Sequence, residues 1–558
     1  MNKMSIKYRN ASALLFALIC LQMSVFGQDG KQGNLGDEQI NVVKAYQPTL
    51  SDAFKISNIP TGDTAVTFIP PMTYEIEKVN YPTTYTISPI KAVRIKDENL
   101  KELYRGFIKA GYGTKNTPYA ELFYNSLRSK DFDGGIHLHH ISSTGKVKDY
   151  GFPGMSESGA KLYGSKFLKD HTLKGMVSYD RNVYHYYGYL DPPDQFSKSE
   201  TKHSFDDINL GISFGNNETN LKRLRYNTSL EFTSFNDNEG HAEHNFVLSG
   251  NFAKQLENKG ELSGLVELDF INYEFPENES DPRHVFRANP RYKFEFEPVM
   301  VTVGANLAVE SNDETDFHIY PFARVDYEVV AGTMDFFAEI SGDLNRGTFR
   351  DLSRTNPFMG GPVAVLNTDK KFDLSGGFNI KLDRQLLFHL SGGIRSLDDD
   401  AFFVNLPEEA PTTLVKYNVG YLKNSQAYIH TEISYEQYEK AGLSVAATYQ
   451  SNSPKDIDKP LFRPNFRLGL KGYYSIGEKI RVTSEWAFSG QQYAINYDND
   501  GFRSVSGYVD GSLGIDYLYS KVLSVFLNFN NFTASDYSRW YNYPSYRFMV
   551  MGGLSYSF

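Results

Sequence analysis

The chain closes on Tyr546-Arg-Phe-Met-Val-Met-Gly-Gly-Leu-Ser-Tyr-Ser-Phe558. Taken with a period of two, one set of residues is Tyr546, Phe548, Val550, Gly552, Leu554, Tyr556 and Phe558. The other is Arg547, Met549, Met551, Gly553, Ser555 and Ser557. A strand sends alternate side chains to opposite faces. This one therefore has an apolar face rimmed by aromatics and a second, more polar face. A helix would instead need apolar residues three and four apart.

The same alternation recurs upstream. Over 299–310, Val299, Val301, Val303, Ala305, Leu307 and Val309 alternate with Met300, Thr302, Gly304, Asn306, Ala308 and Glu310. Over 371–382, Phe372, Leu374, Gly376, Phe378, Ile380 and Leu382 alternate with Lys371, Asp373, Ser375, Gly377, Asn379 and Lys381. Further stretches of this kind lie around 224–232, 246–252, 262–270, 334–342, 466–474 and 479–488. Glycine falls on both faces, as a curved sheet needs. The links fall into two groups. Short ones include 168–170, 255–260, 297–298 and 382–385. Long ones include 143–154, 188–199, 273–283, 346–369, 451–460, 491–502 and 532–543.

Tyr, Phe and Trp make up 15% of the residues, with 45 glycines. Mean hydropathy is nevertheless negative, and beyond residue 27 no apolar run reaches the length of a membrane helix. A closed barrel crosses a bilayer with every backbone hydrogen bond made between strands. Its strands alternate lipid-facing and lumen-facing residues, so average hydropathy stays low. The sequence thus predicts an all-β fold: a transmembrane antiparallel β-barrel of the outer-membrane type over 104–558, with about 22 strands in a range of about 18–22. An even number, with both chain ends on the periplasmic side, requires 413–423 to belong to one long outside loop.

Residues 1–27 read as a secretory signal peptide, with Lys3, Lys7 and Arg9 ahead of an apolar run from Ala11 to Phe26 and a small residue, Gly27, at its end. The run is short for a bilayer core of ~30 Å. Cys20 is the only cysteine and lies in that run. Cleavage would leave no disulfide, thiol or cysteine–metal chemistry. It would also make the mature chain three units more negative than the −10 of the whole sequence. That acidity speaks against nucleic acid as a partner. Residues 28–103 carry Pro48, Pro60, Pro70, Pro71, Pro82 and Pro89. Proline at these intervals stops long helices and central strands, so the segment reads as an extended periplasmic or plug-like piece.

Phe526-Leu-Asn-Phe-Asn-Asn-Phe532, then Trp540-Tyr-Asn-Tyr-Pro544, then the final strand, together resemble the last hairpin of TonB-dependent outer-membrane receptors. Leu422-Lys-Asn-Ser-Gln-Ala-Tyr-Ile-His-Thr-Glu432 is similar to that family's Leu-Lys-Pro-Glu stretch, with Asn424 and Ser425 in place of Pro and Glu. The resemblance implies a Gram-negative outer-membrane location, contact with outer-membrane lipid, and insertion by the barrel-assembly machinery. Phe558, Tyr556 and Leu554 would then form the C-terminal insertion signal. It implies uptake or passage of a solute, not an enzyme. The family carries a folded plug ahead of its barrel; residues 28–103 are short for one and lack its glycine-rich signature. Glu38-Gln-Ile-Asn-Val-Val43 is similar to the box that contacts TonB, with Ile40, Val42 and Val43 as its apolar positions. TonB, or another outer-membrane or periplasmic protein, is the implied partner. The competing function is a non-transport barrel, a scaffold or subunit in an outer-membrane assembly, secretion or surface-binding complex.

Several clusters invite chemistry. His137 and His139 share a strand face and could ligate a metal or simply line the lumen. His241-Ala-Glu-His244 lacks the helix that a zinc protease motif needs. Asn496-Tyr-Asp-Asn-Asp-Gly501 begins like a calcium loop, but Gly507 stands where the closing glutamate would be, so a turn is expected. Tyr184, Tyr186, Tyr187 and Tyr189, with His185, form the densest aromatic group. A membrane-interface girdle is the expected role, with stacking on a flat ligand as the alternative; Arg539 and Trp540 are read the same way. Expected lumen charges are of both signs: Arg105 and Lys109, Glu267 and Asp269, Arg467 and Lys471, Arg481 and Glu485. No single-sign ring argues for ion selectivity. No nucleophile–base arrangement, phosphate loop or dinucleotide fingerprint stands out, and no cofactor is expected.

Overall fold

The computed structural model describes residues 103–558, apart from 190–195, 258–259, 277–278, 313, 408–413, 438–439 and 500. The signal peptide expected over 1–27, nearly all of the 28–103 segment, and Ile40, Val42 and Val43 lie outside the described residues.

The strands run in chain order as follows. The first seven are β1 (Gly106–Gly113), β2 (Thr117–Asn125), β3 (Phe132–Ser143), β4 (Met155–Phe167), β5 (His171–His185), β6 (Lys202–Asn216) and β7 (Arg225–Asp237). Next come β8 (Ala242–Gln255), β9 (Glu261–Glu274), β10 (Ser280–Ala288), β11 (Arg291–Phe296), β12 (Val299–Ser311), β13 (Thr315–Val330) and β14 (Met334–Asn345). A short helix, α1 (Phe349–Thr355), precedes β15 (Thr368–Asp383), β16 (Leu386–Asn405), β17 (Tyr417–Gln437), β18 (Ala441–Pro454), β19 (Phe466–Ile476) and β20 (Ile480–Ser489). The last are β21 (Gln492–Asn496), β22 (Gly501–Val505), β23 (Tyr508–Leu518), β24 (Leu523–Asn530), β25 (Ser538–Trp540), β26 (Tyr543–Pro544) and β27 (Met549–Ser557).

Each wall strand pairs antiparallel with its neighbour. β10 and β11 both pair with β9 and with β12, so they are two halves of one wall strand broken at Asn289-Pro290. β21–β22 and β25–β26 are separate small hairpins inside loops. The wall is therefore a closed barrel of 22 strands, at the upper end of the expected range. It closes where β1 meets β27, from Phe107 opposite Ser557 to Gly113 opposite Met551. The last residue completes the seam: the amides of Gly106 and Phe558 each donate to the other's carbonyl, at 2.8 and 2.9 Å. The Phe558 ring lies over Gly106, where a Cβ would displace it.

Alternation assigns the two faces. On β6, Ile208, Leu210, Ile212 and Phe214 are exposed outward, whereas Asp207 is buried on the inner side. Phe372 and Leu374 on β15, and Leu554 and Tyr556 on β27, are likewise exposed, while Asp373, Met551 and Ser555 are buried. An outward apolar band over an inward polar lining is the pattern that a bilayer imposes on a barrel, and the architecture is that of an integral outer-membrane barrel.

Links at the end that holds Gly106 and Phe558 are short, the longest being 217–224. Links at the opposite end include 144–154, 186–201, 346–367, 406–416, 455–465, 490–507 and 531–548. This is the short-turn, long-loop asymmetry of outer-membrane barrels. One expectation fails. Residues 413–423 are not a single outside loop, because β17 begins at Tyr417 and its residues 417–422 pair with 400–405 of β16. The sheet extends beyond the expected rim here, but 413–423 adds no wall strand of its own, and with β10 and β11 counted as one strand the number is even as expected.

One seam is only half closed. β13 pairs with β12 over Thr315–Tyr327, but with β14 only from Ala323 to Val330. The outer end of β14 turns inward behind β13, and its Gly342 carbonyl accepts from Asn306 Nδ2 on β12. Gly342 permits this crossing, because a Cβ there would lie 2.7 Å from the Tyr320 ring. Val285, Ala308, Tyr320 and Leu344 fill the space between the two layers.

Candidate functional site

A barrel this wide cannot be filled by wall side chains alone, so what occupies its long-loop mouth decides what it can do. Residues 346–367 enter that mouth. Thr348 N-caps α1, its hydroxyl accepting from the Asp351 amide at 3.0 Å. The wall continues the cap: Glu243 of β8 accepts from the Phe349 amide at 2.6 Å. Asp207 of β6 takes Arg350 Nε at 2.8 Å and Arg354 at 2.6 Å. Asn209 takes the other end of the Arg350 guanidinium at 2.8 Å. Phe349 packs against Phe235, His241 and Tyr273.

Beyond the helix the loop gives its carbonyls to the wall. Pro357 O lies 2.9 Å from His203 Nδ1, Met359 O accepts from the Tyr186 hydroxyl at 2.6 Å, and Gly361 O lies 3.1 Å from His241 Nε2. On its other flank the loop meets the far side of the ring. Gly360 N donates to Tyr417 O, and Tyr417 N to Phe358 O, both at 3.0 Å. Phe358 stacks on Tyr543 of the last loop with ring centres 3.7 Å apart. Trp540 sits against Phe403, Tyr417 and Phe462. Asn405 holds the β21–β22 hairpin by a pair of bonds to Ile495, at 2.9 and 3.1 Å.

These contacts make one buried apolar cluster. It joins Phe205, Phe235 and Tyr273 of β6, β7 and β9 to Phe349, Met359 and Val363, and on to Tyr417, Phe462, Val505, Trp540 and Tyr543. Its members come from separate arcs of the ring, so the cluster crosses the mouth. Burial pushes the hydroxyl pKa of Tyr186 and Tyr543 well above the ordinary value, which keeps both as neutral donors to carbonyl oxygens.

Several expectations meet the structure here. The tyrosine group is not a membrane girdle: Tyr186 and Tyr189 are buried, and Tyr187 donates to Pro544 O at 3.0 Å. Residues 186–189 lie past the end of β5, where the chain has left the wall and turned into the mouth. Trp540 is likewise buried and gives no exposed stacking face. His137 lies 3.1 Å from Glu121 and stacks on Phe123, while His139 faces Asp180 at 3.9 Å. Among the described residues no group of His, Cys, Asp and Glu is placed to hold a metal ion. Asn496 pairs with Gly501 across the β21–β22 hairpin, and 497–499 form a turn between them. Lumen charges of both signs pair with one another: Glu267 with Arg287 at 2.6 Å, Asp269 with Arg346 at 3.1 Å, and Lys471 with Glu485 at 2.7 Å. Leu554, Tyr556 and Phe558 are exposed on the outer face of the closing strand. The wall anchors Asp207, Glu243, His203 and Asp237 were not foreseen. Their one signal is a polar residue at the outer tip of an otherwise alternating strand.

No family model and no curated protein matches the chain. Solved structures do. The ferripyoverdine receptor of the outer membrane of Pseudomonas aeruginosa, bound to ferripyoverdine, is 12% identical with a TM-score of 0.62, over 83% of this chain and 72% of that one. The ferric-catecholate import receptor Fiu of E. coli K12 is 10% identical with a TM-score of 0.62, over 82% of each chain. The FrpB iron transporter of Neisseria meningitidis is 10% identical with a TM-score of 0.63, over 82% of this chain and 83% of that one. At such identities the likeness is one of fold. The resemblance to TonB-dependent receptors that was read in the last hairpin holds at that level along most of the chain.

Proposed function

We propose that this chain is an outer-membrane barrel for the controlled passage of a solute, opened by displacement of the loops in its outer mouth. The observation that carries this reading is the single buried cluster that joins opposite arcs of the ring through residues 346–367. A wide wall closed by loops can be opened without disturbing the wall. The solved barrels with the same fold include an import receptor and an iron transporter, which supports passage inward. On this reading residues 28–103 are a second occluder at the periplasmic mouth, and Ile40, Val42 and Val43 are the contact for TonB or an equivalent energy-coupling partner. The test is sensitivity of whole cells to a large antibiotic that the outer membrane normally excludes. Cells with the native barrel should resist it, and so should cells whose barrel lacks only 30–95, whereas a barrel lacking both 30–95 and 346–367 should make cells sensitive. Equal resistance with equal amounts of inserted barrel would count against controlled passage.

One observation favours the second reading, a scaffold in an outer-membrane complex. The outer half of β13 is an open sheet edge, and its Phe317 and Ile319 are 76% and 74% exposed. Open edges add strands from other chains, and hydrocarbon cannot satisfy their backbone groups. A photo-crosslinking residue at Phe317 would separate the readings: a discrete protein adduct in cells supports the scaffold, and lipid adducts alone speak against it.

A further inference from the structure

The closed mouth contains a hydrogen-bond knot that needs more protons than neutral side chains carry. His203 Nε2 is 3.2 Å and His241 Nδ1 2.8 Å from the same oxygen, Asp237 Oδ2. The other nitrogen of each ring faces a loop carbonyl, Pro357 O at 2.9 Å for His203 and Gly361 O at 3.1 Å for His241. The Tyr186 hydroxyl, 2.9 Å from His203 Nδ1, can donate to that nitrogen only at the expense of its other acceptors. Its one proton has the Met359 carbonyl at 2.6 Å and Glu239 Oε1 at 3.0 Å as the competing acceptors. A neutral imidazole has one N–H and one lone pair. Each ring here meets acceptors on both sides, so all four bonds form only when both rings are imidazolium. Loss of a proton from His241 sets a lone pair against Gly361 O, and at His203 the bared Nδ1 can be satisfied only by drawing the Tyr186 proton away from Met359 O, so one bond to the loop is lost per ring either way.

We propose that His203 and His241 are a proton-operated latch that pins residues 357–361 in the mouth. The placement suits the role, because His203 stands on β6 and His241 in the β7–β8 link, while both carbonyls belong to the inward loop. His203, His241 and Asp237 are almost wholly buried, so a broken bond cannot be replaced by water while the loop stays closed. The charged and titratable groups around the knot are few. Asp237 lies between the rings. Glu239 pairs with Lys416 of the β16–β17 link at 2.8 Å, and that ammonium lies over the Tyr186 ring. Tyr273 of β9 stacks on His241. Glu243, Arg350 and Arg354 are engaged at α1. With both rings charged, Lys416 and two imidazolium groups face the carboxylates of Asp237 and Glu239. The second proton is therefore held chiefly by its own bonds to Asp237 and the loop carbonyl.

The sign follows from linkage. The closed mouth offers each imidazolium an acceptor on both nitrogens, which the released loop does not. Closing therefore takes up protons, acid favours the closed mouth, and rising pH favours release. The ratio of released to closed molecules rises by up to about tenfold per pH unit for each proton taken up on closing.

The test uses the full-length barrel in a Cys20→Ser background, with spin labels on Thr315→Cys at the rim and Ala364→Cys, an exposed position three residues past Gly361 in the pinned loop. Distance distributions are recorded across about pH 5.5 to about pH 8.5, the range in which histidine ordinarily titrates. A second, displaced distance should grow with pH, several-fold or more over the range. His203→Gln/His241→Gln should flatten that dependence. A single distance unchanged over the whole range in the otherwise native barrel overturns the latch, and does so even if the double variant fails to fold. The same pH profile in a folded double variant overturns it equally.

Discussion

The Glu243 carboxylate, on a barrel strand, accepts the backbone N–H of Phe349 at 2.6 Å, so the wall itself caps the helix that enters the mouth. Caps and charge-assisted bonds of this kind contribute about 1–2 kcal/mol. Glu243→Ala should speed amide hydrogen exchange over 349–355 by about tenfold, as 1.4 kcal/mol is a factor of ten. Exchange in the wall strands should not change. Uniform acceleration across wall and loop would mean that the contact supports the barrel and not the loop.

Trp540 centres the packing on the far side of the mouth, wedged among Phe403, Tyr417 and Phe462. Replacing a buried aromatic by alanine costs about 3–5 kcal/mol. Trp540→Ala should make the 490–507 and 531–548 loops sensitive to protease while the folded barrel keeps its heat-modifiable mobility on gels. Unchanged protease resistance would show that the loops are held without this core.

Topology is open to direct labelling. Asp149 lies in the exposed part of the 144–154 loop, and Asp383 stands at the opposite end beside the 384–385 turn. An epitope at Asp149 should stain intact cells and one at Asp383 should not. The reverse pattern would invert the barrel. Asn356, in the longest loop, is a poor insertion site, because it is fully buried.

The fold was largely legible because alternation is local: each strand announces itself from its own residues, and the Phe558 strand announces the closure. The site was not, for a physical reason. Its contacts join residues distant in the chain, such as Asp207 with Arg350 and Arg354, or Tyr187 with Pro544. Nothing local separates a tyrosine at the membrane interface from one just past a strand end that folds into the mouth, as Tyr186 does. His241 opens a His-Ala-Glu-His stretch that by itself suggests metal binding. Its partners proved to be Asp237 and the Gly361 carbonyl.

The seam predicts its own test. Phe558 closes on Gly106 by two backbone bonds, and its ring covers that glycine, so a side chain there would have to displace it. Deleting Phe558 and, separately, Gly106→Val should each lower recovery of folded barrel from the outer membrane. Phe558, Tyr556 and Leu554 as an insertion signal predict the larger loss for the deletion. Equal folded recovery of both variants and the native chain would remove the signal and the seam from the account.

The most direct measurement is single-channel conductance with the mouth loop excised. Asn345 and Thr368 are cross-strand partners, so 346–367 can be replaced by a short glycine turn without stretching the wall. Crossing this excision with deletion of residues 30–95 separates the two occluders. With 30–95 absent, the native loop should hold conductance low, and excision should raise it several-fold to that of an open, wide pore. With 30–95 present, a smaller rise would assign part of the closure to that segment. Conductance that stays equally low after both deletions, in barrels shown to be inserted, would contradict closure by the 346–367 loop.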